Sequence, residues 1–268
     1  MKLEVKNLTF AYQSTPVLNG ICMEAEQMVT ALIGPNAAGK STLLKCMSGL
    51  LKSNNSKKQA GSILLDGRDT KVYTRDDFLR AVSYLPQDAP CSSALTVFEA
   101  VLLGRMNSLG WKVSDEDLKL ALDAMEKLGI EGLAKRSMGE LSGGQKQMVS
   151  IAQSIIRKPA VLLMDEPTNS LDLQHQLELF ELIKMITKEN KMTTVVALHD
   201  LNLAARYADK IVLMNLGKIE ATGKPESVIT VDMIRNIYGV NARVMTDDEG
   251  IPQVIPIKSA RKCVTIAK

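Results

Sequence analysis

The chain has few of the residues that mark secreted, metal-binding or membrane-spanning proteins. Its 268 residues include four cysteines, two histidines and only 4% aromatic residues. The cysteines are scattered with no Cys-x-x-Cys pair, which predicts neither a zinc site nor a disulfide framework and suits a reducing compartment. The apolar runs are strand-length, well short of the roughly 20 residues that cross a bilayer. The alternating N-terminus predicts a strand and no signal peptide.

An excess of charge of one sign is also missing. Lys and Arg total 33 against 30 Asp and Glu, which gives a net charge of +3. Nucleic-acid binding usually needs a clustered basic face, so no nucleic-acid partner is expected. Apolar residues make up 46% of the chain, enough for a large core. These values favour one globular domain with room for a small appended subdomain.

Short apolar runs alternate with helical patterns along most of the chain. The predicted strands are residues 3–12, 29–33, 61–65, 81–85, 161–164 and 193–198. Helical periodicity predominates between residues 86 and 159, with Ser114 as a helix N-cap and Gly129 as a stop. Apolar strands separated by helices predict an α/β fold with a largely parallel sheet. Towards the C-terminus we expect a hairpin around Leu216, two short helices, two short strands and a basic tail.

A glycine-rich segment follows the strand at 29–33 and opens a helix. It satisfies G-x-x-x-x-G-K-[ST] with Gly34, Pro35, Asn36, Ala37, Ala38, Gly39, Lys40, Ser41 and Thr42. In this context backbone N–H groups form a nest for phosphate oxygens at the positive end of a helix. We expect Lys40 to reach the β- and γ-phosphates of ATP, and Ser41 to bind Mg²⁺. An ordinary glycine-rich turn is the alternative, but it leaves a lysine at a helix start unexplained.

The apolar run at 161–164 ends in two carboxylates, Asp165 and Glu166. A buried parallel strand presents its C-terminal end to the crevice where ligands bind. Asp165 suits the surroundings of Mg²⁺, and Glu166 suits a base that orients the attacking water. Because Glu166 sits where the strand ends, both side chains can face the site despite strand alternation. The alternative is a capping pair before the next helix.

The segment Leu141 to Gln145 reads LSGGQ. Taken alone, it predicts a helix N-cap with exposed N–H groups that could bind an anion. The phosphate loop, LSGGQ and the stretch VLLMDEPTNSLD follow one another in that order along the chain. Together they resemble the ABC ATPase family over about residues 3–238. The resemblance implies a P-loop NTPase (RecA-like) core with a mostly parallel sheet. It also implies an N-terminal antiparallel β subdomain and an inserted α-helical subdomain.

The resemblance also implies a domain layout. An ABC ATPase domain would cover residues 1–240, followed by a short C-terminal extension at 241–268. The RecA-like core would occupy about 1–87 and 158–215, with the helical subdomain at about 88–157.

The resemblance further implies that each active site is shared between two subunits. In the family the LSGGQ segment binds the γ-phosphate that the other subunit's phosphate loop holds. The residues in question here are Ser142, Gly143, Gly144 and Gln145. The site would therefore be complete only in a head-to-tail homodimer with two nucleotides at the interface.

Four more residues receive roles from the same resemblance. Tyr12 would stack on adenine, and Gln87 would sense Mg²⁺ and the γ-phosphate and link them to the membrane partner. Asp172 would lie in a loop that crosses the dimer interface, and His199 would contact the γ-phosphate. The local alternatives are a core-facing Tyr12, a turn residue at Gln87 and a helix cap at Asp172. His175 is interpreted as a surface residue.

The chain departs from the family pattern in a few places. Ala37 stands where the family usually has Gly. If that position needs φ > 0, an Ala costs ~1–2 kcal/mol, which we expect the loop to tolerate at the expense of some ATP affinity. Asn169 and Ser170 replace the commoner Ser-Ala, a change expected to matter little. Met148 and Gln153 replace frequent arginines, which puts in doubt ion pairs of the helical subdomain.

The transporter type follows from two further segments, Val101 to Arg105 and His199 to Ala204. Both resemble the ATPase subunits of iron-siderophore, haem and cobalamin importers. That group implies two separate permease subunits, an extracytoplasmic substrate-binding protein and a peripheral position on the cytoplasmic face of the membrane. We expect the permease to dock near residues 87–105, so that charge reversal at Arg105 impairs transport.

A non-transport ABC ATPase of DNA repair or translation is the alternative. Repair proteins of this family have a long coiled coil between the two halves of the nucleotide-binding domain. The sequence between Lys40 and Ser142 has no sustained heptad repeat. Translation-associated members usually carry two cassettes, whereas one set of motifs is present here.

Overall fold

Two sheets and a set of helices place the predicted motifs. The computed structural model describes residues 1–51, 59–87, 94–105, 113–169 and 171–260. The first sheet is antiparallel, with strand order β2-β1-β4-β5. Its strands are β1 (Leu3–Tyr12), β2 (Thr15–Ala25), β4 (Gln59–Leu65) and β5 (Arg68–Asp69). The predicted N-terminal antiparallel subdomain is confirmed.

The second sheet has six strands in the order β10-β9-β3-β8-β7-β6. They are β3 (Val29–Ile33), β6 (Val82–Leu85), β7 (Val161–Asp165), β8 (Thr193–Ala197), β9 (Lys210–Asn215) and β10 (Lys218–Gly223). All pair in parallel except β10, which forms the predicted hairpin with β9. Every residue of β3, β7 and β8 is buried, which explains why these strands read as unbroken apolar runs.

Helices cover both faces of this sheet. Four of them are α1 (Lys40–Met47), α2 (Arg75–Ala81), α6 (Leu173–Glu189) and α7 (Leu201–Tyr207). Leu43 and Leu44 of α1 share one core cluster with the antiparallel sheet, and Phe180 and Ile183 of α6 belong to the other. The layered arrangement confirms the α/β class. Helix α2 was not predicted; it ends at Ala81, so β6 begins one residue later than expected.

A group of helices separates β6 from β7 along the chain. It contains α3 (Val97–Leu103), α4 (Asp115–Lys127) and α5 (Gly143–Ile155). Thr96, Ser114 and Ser142 cap these helices with capping boxes, as their residue types favour. The limits of the predicted helical subdomain stay a prediction, since residues 88–93 and 106–112 lie outside the described residues.

Arg105 forms an ion pair that affects the proposed test of permease docking, while the docking surface itself stays a prediction. Its guanidinium Nε and Nη2 both contact Asp117 Oδ1, at 3.0 and 2.9 Å, and only 22% of its side chain is exposed. This ion pair links the segment just after α3 to α4. Charge reversal at Arg105 would break a largely buried ion pair. A loss of transport in that variant would therefore not distinguish misfolding from impaired docking.

The last described part of the chain forms a hairpin that packs on α7. Helices α8 (Pro225–Val228) and α9 (Val231–Met233) and a π-helical turn (Ile234–Tyr238) precede it. The hairpin consists of β11 (Val240–Thr246) and β12 (Pro252–Ser259), which confirms the two predicted C-terminal strands. The predicted basic tail falls mostly at 261–268, outside the described residues. Within the described part of the chain, no helix is both long enough and apolar enough to cross a membrane.

Candidate active site

The phosphate loop connects the end of β3 to α1. Gly34 has φ +150°, and a Cβ there would lie 2.1 Å from the Met214 carbonyl oxygen, so only glycine fits. Gly39 has φ +102° and is the N-cap of α1, which begins at Lys40 as predicted. Ala37 has φ +62°, so the position where the family usually has Gly does require a left-handed backbone. The loop therefore has the strained geometry expected of a phosphate cradle.

Lys40 folds back over this loop. Its Nζ donates to the Gly34 carbonyl at 2.7 Å and to the Pro35 carbonyl at 3.2 Å. Burial lowers the pKa of Lys40, while the carboxylates of Glu166 and Asp165 oppose that shift. The structure thus holds a buried cation beside the loop N–H groups, which suits an anionic ligand.

Ser41 and Asp165 meet although they are 124 residues apart. Ser41 Oγ donates to Asp165 Oδ1 at 2.9 Å, and the Tyr84 hydroxyl donates to Oδ2 at 3.4 Å. Burial raises the pKa of Asp165. The pair sits where β7 ends beside α1, at the carboxyl edge of the parallel sheet.

Tyr84 was not assigned a role from the sequence. It lies on β6, which pairs with β7 in parallel so that Tyr84 faces Leu163 across the ladder. A tyrosine near the C-terminal end of this strand, where parallel strands present side chains to a ligand crevice, was the signal that could have indicated it. Its hydroxyl contact with Asp165 depends on that register, which the sequence does not display.

Glu166 follows β7 with an unusual backbone. Its φ is +50°, and its N–H donates to the Ala197 carbonyl of β8 at 3.1 Å. This left-handed residue turns the side chain into the same cavity as Lys40 and Ser41. Glu166 thus lines the loop cavity while Asp165 contacts Ser41 of the same cavity, even though strand neighbours normally point apart. That both carboxylates serve one active site stays a prediction.

The Glu166 carboxylate has two side-chain partners. His199 Nε2 contacts Oε1, and Asn169 Nδ2 donates to Oε2 at 2.9 Å. Only 9% of the Glu166 side chain is exposed, against 44% for His199. Sequence analysis assigned no role to Asn169, and its neighbour Ser170 lies outside the described residues.

A cavity of about 510 Å³ opens over the loop. Its described lining residues are Tyr12, Val17, Asn36, Ala37, Ala38, Gly39, Lys40, Ser41, Thr42, Gln87, Glu166 and His199. Tyr12 is 44% exposed and meets Phe10 edge to face, so the core-facing alternative is wrong. Gln87 is exposed at the cavity wall. A rigid aromatic ring beside the loop suits stacking on a planar base.

The LSGGQ residues lie in a different cavity, of about 670 Å³. Ser142, Gly143, Gly144 and Gln145 line it together with Asp172 and His175. Among the described lining residues of the two cavities, none is shared. Within one chain, the structure therefore brings the predicted site residues into two separate groups.

Ser142 and Asp172 are also helix caps. The Ser142 hydroxyl accepts from the Gln145 N–H at 3.3 Å, and Asp172 accepts from the His175 N–H at 3.0 Å. The hydrogen bond from the His175 N–H holds the pKa of Asp172 below its usual range. His175 is exposed, as expected, although its ring also contacts Asp172. The local alternatives for both residues hold without removing them from the second cavity.

The first cavity defines a class of protein. A phosphate loop with a buried lysine, a Ser–Asp pair and a carboxylate after the neighbouring strand are the parts of a P-loop nucleoside triphosphatase. A family model described as ABC transporter matches residues 21–169. The chain belongs to the ABC transporter family, and it is an ATP-binding subunit that hydrolyses ATP.

Relatives extend this similarity over most of the chain. An ABC transporter ATP-binding protein of Methanocaldococcus jannaschii is 42% identical over 258 residues, covering 96% of this chain and 98% of that protein. The ferric enterobactin transport ATP-binding protein of Escherichia coli is 36% identical over 260 residues, covering 96% and 94%.

Solved structures are similar as well. A metal-chelate type ABC transporter in an inward-facing conformation has a TM-score of 0.79 and 26% identity, covering 95% of this chain and 96% of that one. A dimeric ATP-binding cassette in a post-hydrolysis state with ADP and phosphate has a TM-score of 0.74 and 27% identity, covering 83% and 98%.

Proposed function

We propose that the chain energises the uptake of a metal chelate through an ABC importer. A relative named for ferric enterobactin transport supports this, as does the similarity to a metal-chelate type transporter. Two separate permease subunits would form the pore, and an extracytoplasmic binding protein would deliver an iron-siderophore, haem or cobalamin. The chain would then lie on the cytoplasmic face of the membrane.

The observation that carries the mechanism is the separation of the two cavities. The loop cavity lacks the LSGGQ residues, while Ser142 and its neighbours line a cavity without the loop. A head-to-tail homodimer would place the second cavity of one copy over the first cavity of the other. Two ATP molecules would then lie at the interface, and closure on ATP would move the permease.

Within each composite site, different residues would have different roles. The loop N–H groups and Lys40 would hold the phosphates, and Tyr12 would stack on the adenine. Glu166 would orient the attacking water and accept its proton, with His199 beside both the carboxylate and the γ-phosphate. Phosphoryl transfer of this kind depends mainly on positioning and charge stabilisation, which rigid groups supply.

The Ser41–Asp165 pair fits a bound Mg²⁺. A hydroxyl and a carboxylate are oxygen ligands of the type Mg²⁺ prefers, and Mg²⁺ keeps several waters. Asp165 is 2% exposed and its hydrogen bonds come from two neutral hydroxyls, so a nearby cation would offset its buried charge. Ser41, Asp165 and Gln87 would hold the ion. When bound, it neutralises charge on the β- and γ-phosphates.

Uptake measurements test the importer assignment. Cells that carry Glu166→Gln should lose accumulation of labelled ferric siderophore, haem or cobalamin, while cells with the exposed change Asn236→Asp should keep it. Growth on the same iron sources gives a second readout. Unchanged uptake of all three in the Glu166→Gln cells, with sensitivity to DNA damage or a translation defect instead, would support the non-transport alternative.

A further inference from the structure

Asn169 is the third residue of a small cluster around the Glu166 carboxylate. Its Nδ2 donates to Glu166 Oε2 at 2.9 Å, while Oε1 faces His199. An ionised carboxylate only accepts hydrogen bonds, so both of its oxygens are engaged here. Each oxygen therefore has a separate side-chain contact that fixes its position.

The second contact matters because the end of a glutamate side chain is loosely defined. Its last torsion is broad, with no strongly preferred staggered angle. A carboxylate held only at Oε1 could rotate about its axis, and His199, whose side chain is 44% exposed, contacts Oε1 alone. A second bond at Oε2 fixes the plane of the carboxylate, and with it the direction of the lone pair that meets the water.

The loop that carries Asn169 is itself fastened. The Leu171 N–H donates to the Thr168 carbonyl at 3.1 Å. Gln176 of α6 donates to the carbonyls of both residues, at 3.3 Å to Thr168 and 3.0 Å to Leu171. Asn169 lies within this turn, so these hydrogen bonds restrain the backbone that carries its side-chain amide, although the residue itself is exposed.

We propose that Asn169 is a positioning residue for hydrolysis, which fixes the plane of the Glu166 carboxylate. The inference rests on the proposed role of Glu166 as the base. Asn169 is not among the described residues that line the loop cavity, so its loss should lower kcat and leave the KM for ATP nearly unchanged. This proposal differs from the expectation that Asn at this position matters little, and the experiment below decides between the two.

The sharpest variant is Asn169→Asp, which keeps the shape and replaces the donor by an oxygen that repels Glu166. Because small misplacements of a reacting group cost up to about 100-fold, we expect kcat to fall at least about 10-fold. The kcat of Asn169→Ala should fall by a smaller factor, since this change removes the hydrogen bond to Glu166 without adding repulsion. The KM for ATP should stay within about 2-fold in both. Asn236→Asp, with the same charge change at an exposed site, should match the parent.

A double-mutant cycle separates positioning from general damage. Glu166→Gln should nearly abolish turnover, and adding Asn169→Ala to it should cause no further loss, because the group it positions is already gone. A structural defect would instead lower the rate in both backgrounds by the same factor. Thermal melting and ATP binding of each variant check folding.

The outcomes distinguish the two claims. If Glu166→Gln turns over at the parent rate, the proposed base role fails. If Glu166→Gln is inactive while Asn169→Asp keeps the parent kcat, or changes only KM, the positioning role of Asn169 is overturned and the base role stands.

Discussion

The side-chain amide of Asn202 exchanges two hydrogen bonds with the backbone of Val254. Its Oδ1 accepts from the Val254 N–H at 2.7 Å, and its Nδ2 donates to the Val254 carbonyl at 3.3 Å. Asn202 belongs to α7, which begins two residues after His199, and Val254 belongs to β12. The C-terminal hairpin is thus fastened to the helix that follows the histidine of the active site.

Asn202→Ala should loosen the hairpin. Losing two hydrogen bonds, and leaving the Val254 backbone without them, should cost about 1–3 kcal/mol of local stability. Arg206→Ala, on the same helix, removes ion pairs to Asp247 and Glu249 in the turn between β11 and β12, but such largely exposed pairs contribute little to stability. Amide hydrogen exchange across 240–259 should therefore accelerate more in Asn202→Ala. Equal protection in both variants and the parent would contradict this.

Lys40→Ala should lose tight nucleotide binding. Hydrogen bonds to charged groups contribute about 1.5–3 kcal/mol, which corresponds to about a 10- to 100-fold rise in the Kd for ATP. The measurement is titration with a fluorescent ATP analogue. Lys71→Ala, an exposed lysine away from the cavity, should bind like the parent. Normal affinity in Lys40→Ala would count against the phosphate-loop role.

Ala37→Gly should not harm the protein. Relief of the left-handed strain gains about 1–2 kcal/mol, while the greater freedom of Gly in the unfolded chain costs about 0.4–1 kcal/mol. The Ala37 methyl is exposed, so its removal leaves no cavity. We expect a free energy of unfolding equal to or up to about 1.6 kcal/mol above the parent's, and ATP binding at least as tight. Urea titration and ATP titration check both; clear destabilisation would show that the left-handed backbone costs Ala nothing here.

Asp117 should make the helical region sensitive to acid. The Ser114 hydroxyl, and then Arg105, hold the pKa of Asp117 below its usual range. A lowered pKa in the folded state stabilises the protein above the unfolded value of about 3.9, and that stability is lost as pH falls through the folded value. Asp117→Asn should therefore be less stable than the parent near pH 7, with a smaller difference near about pH 3. Urea unfolding at both pH values measures this; a difference independent of pH would contradict it.

The sequence pattern predicted those parts of the site that are local. The phosphate loop, the acidic pair after β7 and the caps at Ser114 and Ser142 each depend on residues close along the chain. Strands such as β7 and β8 were predictable from the sequence because both of their faces are buried, which leaves an unbroken apolar run.

Other features depend on contacts that a linear pattern does not encode. Helix α2 buries only Phe78, so its periodicity is weak. The contact of Tyr84 with Asp165 spans 81 residues and requires the register of two parallel strands. The bond from Asn169 to Glu166 requires the left-handed backbone of Glu166, which nothing in the residue types at 161–172 indicates.

The association state of Glu166→Gln with ATP tests the shared active site most directly. Its slow turnover should trap a dimer, visible by analytical ultracentrifugation, with two ATP per pair. Adding Ser142→Asp keeps a good helix N-cap but sets a negative charge against the γ-phosphate, so the double variant should stay monomeric while still binding ATP. Two results together would contradict the account. The Glu166→Gln chain would stay monomeric when saturated with ATP, and the parent would hydrolyse ATP as a monomer at a rate that Ser142→Asp does not change.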